Sequence, residues 1–147
     1  MSRAFVKDDS DGPEPRFERR PASTLPNYVT PRGLALLRAD LARAQAGGDE
    51  REARYFAERI DSAIVIDPSA HPKGVVEFGA SVRAHDRSGR ELRVRIVGED
   101  EADPPHGAIS WESPIARAFT DHRVGERVVV HRPAGPIEYT IDEVAYD

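Results

Sequence analysis

Thr30-Pro31-Arg32-Gly33-Leu34-Ala35-Leu36-Leu37-Arg38-Ala39-Asp40-Leu41-Ala42-Arg43-Ala44-Gln45-Ala46-Gly47-Gly48 is the stretch that decides the fold. A threonine ahead of a proline supplies an N-cap and then a first-turn residue with no amide hydrogen to satisfy, so a helix begins there. Leu34, Leu37, Leu41 and Ala44 recur at steps of three, four and three, the spacing of an a/d seam, and Gly47-Gly48 stops the helix. Ala53, Phe56, Ile60 and Ala63 repeat those steps over a second helical stretch from about Asp49 to Ile64. Its early acids, Asp49, Glu50 and Glu52, suit the positive end of a helix dipole. Two short a/d helices joined by so few residues lie antiparallel and bury their seams on one another. The result is a short coiled-coil hairpin with an acidic tip, marginal in water without the sequence that follows it.

Working outward, residues 1–28 hold several prolines, alternating charges and scattered apolar residues, a composition that reads as a disordered tail. The hairpin occupies residues 29–67. Two prolines and a glycine between Asp67 and Gly74 mark a linker at 68–73, and residues 74–147 form a second domain. There the pattern turns to β. Strands are expected over Val75–Val82 and Leu92–Val97 around the turn residues Asp86-Arg87-Ser88-Gly89, then at Ala108–Trp111, Arg127–His131 and Ile137–Val144. Ser113-Pro114 caps and opens a two-turn helix between the third and fourth. The fold class is α+β: a short antiparallel helical hairpin, then a small antiparallel sheet with one short helix.

Composition narrows the function. The 147 residues carry 26 acids against 21 bases, a net charge of -5, with the bases scattered among the acids, which disfavours direct sequence-specific nucleic-acid binding. With no cysteine there are no disulfides, thiolate zinc sites or thiol nucleophiles. The start lacks the apolar run of a signal peptide and no stretch is long enough to span a membrane, so a cytoplasmic protein without membrane contact is expected. A monomer is the expected state.

Little in the sequence suggests catalysis. The tip, Gly48-Asp49-Glu50-Arg51-Glu52, projects carboxylates that can share a hard cation such as magnesium, but without a cage the chain alone holds no cofactor and needs ligands from a partner. A solvated helix start explains the same acids. The histidines at 71, 85, 106, 122 and 131 make no ligand motif. Ser110 and Ser113 lack a nucleophile elbow, and Trp111, Phe78, Phe119 and Tyr139 read as core.

Phe78-Gly79-Ala80-Ser81-Val82, Arg95-Ile96-Val97-Gly98, Ile109-Ser110, Ser113-Pro114-Ile115-Ala116-Arg117-Ala118, Val124-Gly125-Glu126 and Pro133-Ala134-Gly135, in that order, resemble the C-terminal domain of the bacterial GreA/GreB transcription elongation factors. Thr30-Pro31-Arg32-Gly33-Leu34 and Val65-Ile66-Asp67 are similar to that family's coiled-coil boundaries. The resemblance implies an FKBP-like C-terminal domain that docks on bacterial RNA polymerase at the rim of its secondary channel, while the coiled coil enters the channel. It implies no enzymatic activity of the chain's own. The densest match, Ser113, Pro114, Ile115, Ala116 and Arg117, is the expected polymerase-binding segment. In the family, tip carboxylates help hold the second catalytic magnesium for cleavage of backtracked RNA. Here Gly48-Asp49-x-x-Glu52, with Ala53 and Tyr55, resembles that tip without its asparagine, and Asp49 and Glu52, with Glu50 competing, would take the metal-facing roles. Each arm is about two heptads shorter than in a full Gre factor, a loss of roughly 20 Å of reach. The chain in this respect resembles the short-coiled nucleoside diphosphate kinase regulator, which implies polymerase binding without cleavage stimulation. The alternatives are a true transcript cleavage factor using Asp49 and Glu52 and, from the FKBP-like fold alone, a peptidyl-prolyl isomerase.

Overall fold

The computed structural model describes residues 24–71 and 73–146. The expected tail therefore lies, for residues 1–23, outside the described residues. Helix α1 (Pro31–Ala46) starts where the Thr30 hydroxyl accepts from the Gly33 amide at 2.9 Å, with Pro31 in the first turn. It ends at Gly47, and Gly48 takes φ +74, left-handed backbone that glycine enters at little cost. Helix α2 (Glu50–Asp61) is capped by Asp49, whose carboxylate accepts from the Glu52 amide at 3.0 Å. The seam between them is shallow. Leu37 and Ala44 are buried, Leu34 and Leu41 half-buried, and α2 contributes Ala53, Phe56 and Ile60 without burying any residue fully. A hairpin packed so lightly depends on what anchors its base.

That base is closed by two short strands that the sequence pattern does not reveal. β1 (Tyr28–Val29) pairs in parallel with β2 (Ile64–Val65), so α2 stops at Asp61 and Ile64 extends instead of continuing the helix. β-branched residues favour that conformation once α2 is capped by Ser62.

The remaining strands are β3 (Ser81–Asp86), β4 (Glu91–Val97), β5 (Ala108–Ser110), β6 (Arg127–Val130) and β7 (Ile137–Ala145), with α3 (Pro114–Phe119) between β5 and β6. They form one sheet in the order β5-β4-β3-β7-β6. The FKBP-like antiparallel domain implied by the resemblance is corrected here: β5 runs parallel to β4, the sheet is mixed, and the architecture is a coiled-coil hairpin followed by a half-barrel. The isomerase reading rested on that fold alone and falls with it. Residues 75–80 are also not a strand. Val75 makes a single bridge to Arg123, and Gly79, at φ +91, turns the chain against Pro68 before β3 begins.

One face of the sheet carries Val82, Ala84, Val94, Ile96, Ile109, Val128 and Ile141, which bury Ala116 and Phe119 of α3. Alternation along the strands sends Ser81, Arg83, Arg93 and Arg95 to the other face. Beyond Arg95 that face is covered by the hairpin base, where Val97 is wholly buried and Gly98 lies against β1. A Cβ on Gly98 would stand 2.2 Å from the Tyr28 carbonyl oxygen. Gly98→Ala is accordingly expected to force β1 off the sheet and to destabilise the protein by about 1–3 kcal/mol, the usual range for overpacking. Denaturant titration measures this, and an unchanged midpoint would show that β1 yields freely.

Candidate functional site

Three acids in a row, Glu99-Asp100-Glu101, form a 3-10 turn directly after Gly98, and this turn receives the hairpin. Arg59, in the last turn of α2, donates from Nε to Asp100 Oδ2 at 2.6 Å, and from Nη2 to Asn27 Oδ1 at 2.7 Å and Glu99 Oε1 at 3.3 Å. One turn earlier, the Tyr55 hydroxyl donates to Asp100 Oδ1. The Asn27 amide in turn donates to the Arg59 carbonyl at 2.8 Å and to Ser62 Oγ at 3.1 Å. From α1, the Thr30 hydroxyl donates to Glu101 Oε1 at 2.7 Å, while Arg95 Nη1 donates to Glu101 Oε2 at 2.8 Å. Thr30 thus caps its helix and fastens it to the sheet domain with one oxygen.

Asn27, Thr30 and Glu99 are buried, so these bonds act where water competes poorly. Burial alone would pull the Arg59 pKa down. Its hydrogen bond to Asp100 and the charges of Asp100, Tyr55 and Glu99 outweigh that and hold it above the ordinary arginine value. The Tyr28 ring seals one side, edge-on to Trp111 at 5.1 Å and tilted against Phe78 at 5.9 Å. Both hairpin arms are therefore clamped to the sheet domain by charge-assisted bonds, which fixes the direction in which the tip points.

At that tip, Asp49 and Glu50 are exposed and Glu52 is half-buried. Asp49 spends a carboxylate oxygen on the Glu52 amide as the α2 cap. Among the described residues no group of three or more histidine, cysteine, aspartate or glutamate side chains is placed to hold a metal ion. The resemblance to a Gre tip runs through Ala53 to Tyr55. Tyr55 is held at the sheet junction by Asp100, and Asp49, six residues earlier, lies only about 9 Å farther along the helix axis.

The segment Ser113–Arg117 divides in two. Ser113 Oγ accepts from the Ala116 amide at 3.3 Å as the α3 cap, and Ala116 is wholly buried in the core. Pro114 and Arg117 are exposed and Ile115 is half-buried. The histidines do not converge: His85 faces Asp142, His106 faces Asp103, His122 faces Glu126, and His71 packs on Tyr146.

The clamp escaped the reading of the sequence. Two signals pointed to it: an arginine flanked by the seam residues Phe56 and Ile60, and three consecutive acids at the end of a strand, more than the nearby Arg95 can neutralise. Opposite charges that far apart in sequence are joined only by the topology.

The model of the family described as "Transcription elongation factor, GreA/GreB, C-term" matches residues 71–146. Transcription elongation factor GreA of Alkalilimnicola ehrlichii is 44% identical over 107 residues, covering 71% of this chain and 68% of that protein. Transcription elongation factor GreB of Xanthomonas axonopodis pv. citri is 34% identical over 161 residues, covering 87% of this chain and 96% of that protein. Among solved structures, the GreA/GreB elongation factor of Nitrosomonas europaea is similar with a TM-score of 0.47 and 23% identity, over 81% of this chain and 98% of that one. The GreA factor homolog 1 of Thermus thermophilus is similar with a TM-score of 0.43 and 21% identity, over 80% of this chain and 97% of that one. The resemblance to the nucleoside diphosphate kinase regulator gains no support from these matches.

Proposed function

Because the chain belongs to the GreA/GreB family of transcription elongation factors, we propose that it binds bacterial RNA polymerase in the cytoplasm and regulates transcription from the secondary channel, with a hairpin that stops short of the catalytic centre. It acts on the polymerase and is not itself a catalyst. One observation carries the short-reach part: Tyr55, in the second turn of α2, already touches the sheet domain, so the hairpin projects only its end beyond the body of the protein. A carboxylate must come to about 2.1 Å of magnesium to enter its coordination shell, and a shortfall of a single helical turn abolishes that contact.

The second reading is a Gre-type transcript cleavage factor that uses Asp49 and Glu52. The names of the relatives favour it over the short-reach reading, since they are elongation factors GreA and GreB and one of them is matched along 96% of its length. The hairpin's length favours the first. Cleavage of backtracked RNA separates the two.

Docking through the exposed part of the Ser113–Arg117 segment has its own test. Arg117→Glu, on the solvent side of α3, is expected to weaken the complex with core polymerase about tenfold, or ~1.4 kcal/mol, with an unchanged melting temperature. Unaltered affinity by fluorescence anisotropy would remove the segment from the interface.

A further inference from the structure

Among the described residues six large apolar side chains stand exposed, and three of them gather at the base of the hairpin: Leu25 at 41%, Ile64 at 46% and Val65 at 47%. Single exposed apolar residues are ordinary on a protein surface, but a group around one small strand pair is the usual mark of a face that another molecule covers. The register of the pair decides where each side chain stands. Tyr28 is the partner of Ile64, and Val29 the partner of Val65, so Ile64 shares a face with Tyr28 while Val65 shares the opposite face with Val29. The Tyr28 ring is edge-on to Trp111 at 5.1 Å and tilted against Phe78 at 5.9 Å, and all three aromatics are half-buried. Trp111 lies two residues ahead of Ser113, the cap of α3, and Pro114 after it is exposed. Ile64, Tyr28 and Trp111 thus form an apolar row that runs from the hairpin base to the start of α3, with no charge among its members.

Tryptophan and tyrosine backed by a packed core are the residues that carry most of the energy at protein interfaces. This row is also held in place before any partner arrives. Arg59 ties α2 to Asp100, and Asn27, just ahead of Tyr28, bonds to Arg59 and Ser62, so the strand pair meets a partner without an ordering cost.

Position decides the occupant, and here the inference rests on the polymerase reading. With the hairpin in the channel and the Ser113–Arg117 segment on its rim, the surface between the two faces the polymerase, and the row occupies that surface. We propose that Ile64, with Tyr28 and Trp111 behind it, is a polymerase contact that extends the docking surface from α3 across the hairpin base onto an apolar patch of the rim. Val65, equally exposed on the other face of the same strand, lies outside it.

The two neighbours provide an internal control. Threonine keeps the β-branch that suits a strand and removes the apolar end of the side chain. In the full chain, Ile64→Thr is expected to weaken binding to core polymerase about fivefold by fluorescence anisotropy, and Val65→Thr by less than about twofold. Both should keep the native melting temperature and helical circular dichroism. Ile64→Asp should cost more than about tenfold in affinity. Undiminished affinity in Ile64→Thr overturns the proposal. So do equal losses at 64 and 65, which would place the effect in the stability of the strand pair. A native chain that sediments as a dimer, made monomeric by Ile64→Asp, would assign the row to a second copy and overturn it as well. The polymerase reading fails separately: a native chain with no affinity for core polymerase removes both, whereas binding that responds to Arg117→Glu but not to Ile64→Thr removes this contact alone.

Discussion

Arg59→Met is expected to destabilise the protein by about 3–5 kcal/mol, because it strips the cation from Glu99 and Asp100 and leaves their carboxylates largely buried without it. The side chains of Arg59, Glu99 and Asp100 are 15%, 9% and 11% exposed, so water cannot take the cation's place at the original cost. Methionine fills much of the volume but supplies none of the bonds to Asp100, Asn27 and Glu99. For a domain whose whole stability is of the order of 5–15 kcal/mol, that is a large share. The loss should fall first on the hairpin, since α2 buries no residue of its own. Helical circular dichroism should drop at denaturant concentrations where the amide NMR signals of β3 and β7 still show a folded sheet. Arg59→Lys should recover only part of the difference, because an ammonium keeps the charge but not the planar set of donors that reaches three residues at once. A cost below about 1 kcal/mol would mean that the clamp is an exposed ion pair in effect, with the hairpin held by other contacts.

Local chemistry was readable from the sequence. Thr30 and Ser113 announced their helices because a hydroxyl before a proline has one good use, and Gly47-Gly48 marked the turn because left-handed backbone favours glycine. At the turn Asp86 to Gly89, the strand after it was read close to its observed bounds, Glu91–Val97, whereas the strand before it was placed at Val75–Val82 and lies at Ser81–Asp86. What stayed hidden was non-local. The parallel pairing of Tyr28–Val29 with Ile64–Val65 joins segments more than 30 residues apart, and nothing in either dipeptide specifies the other. The sheet was read as antiparallel throughout, yet residues 98–107 loop back and set β5 parallel to β4. At the site, Asp49 and Glu52 were legible as a tip. The placement of Tyr55 was not, because an aromatic that follows a Gre-like tip pattern looks the same in sequence whether it lies free or rests on the sheet domain.

The second large effect concerns the tip. Replacing Asp49 with alanine would remove a helix cap worth about 1 kcal/mol together with the carboxylate and confuse the two roles. Asp49→Ser with Glu52→Gln keeps the cap and removes both charges. This pair is expected to leave polymerase affinity within about twofold of the native chain, since the carboxylates would end short of the catalytic magnesium. The converse change is expected to have the larger effect. Two heptads of matched a/d sequence added to each arm extend the hairpin by roughly 20 Å without altering its register, and should confer RNA cleavage that depends on Asp49 and Glu52. An extended hairpin that binds polymerase but remains inactive would place the deficiency in the tip's chemistry, where the asparagine of the Gre pattern is missing, and not in its reach.

The most direct measurement is cleavage of the nascent RNA in a backtracked elongation complex at saturating native chain. The short-reach reading expects cleavage no faster than the polymerase's intrinsic rate, together with slower cleavage when the chain competes against a full-length Gre factor. Accelerated cleavage by the native chain, abolished in Asp49→Ser/Glu52→Gln while binding persists, would contradict it and establish a functioning transcript cleavage factor.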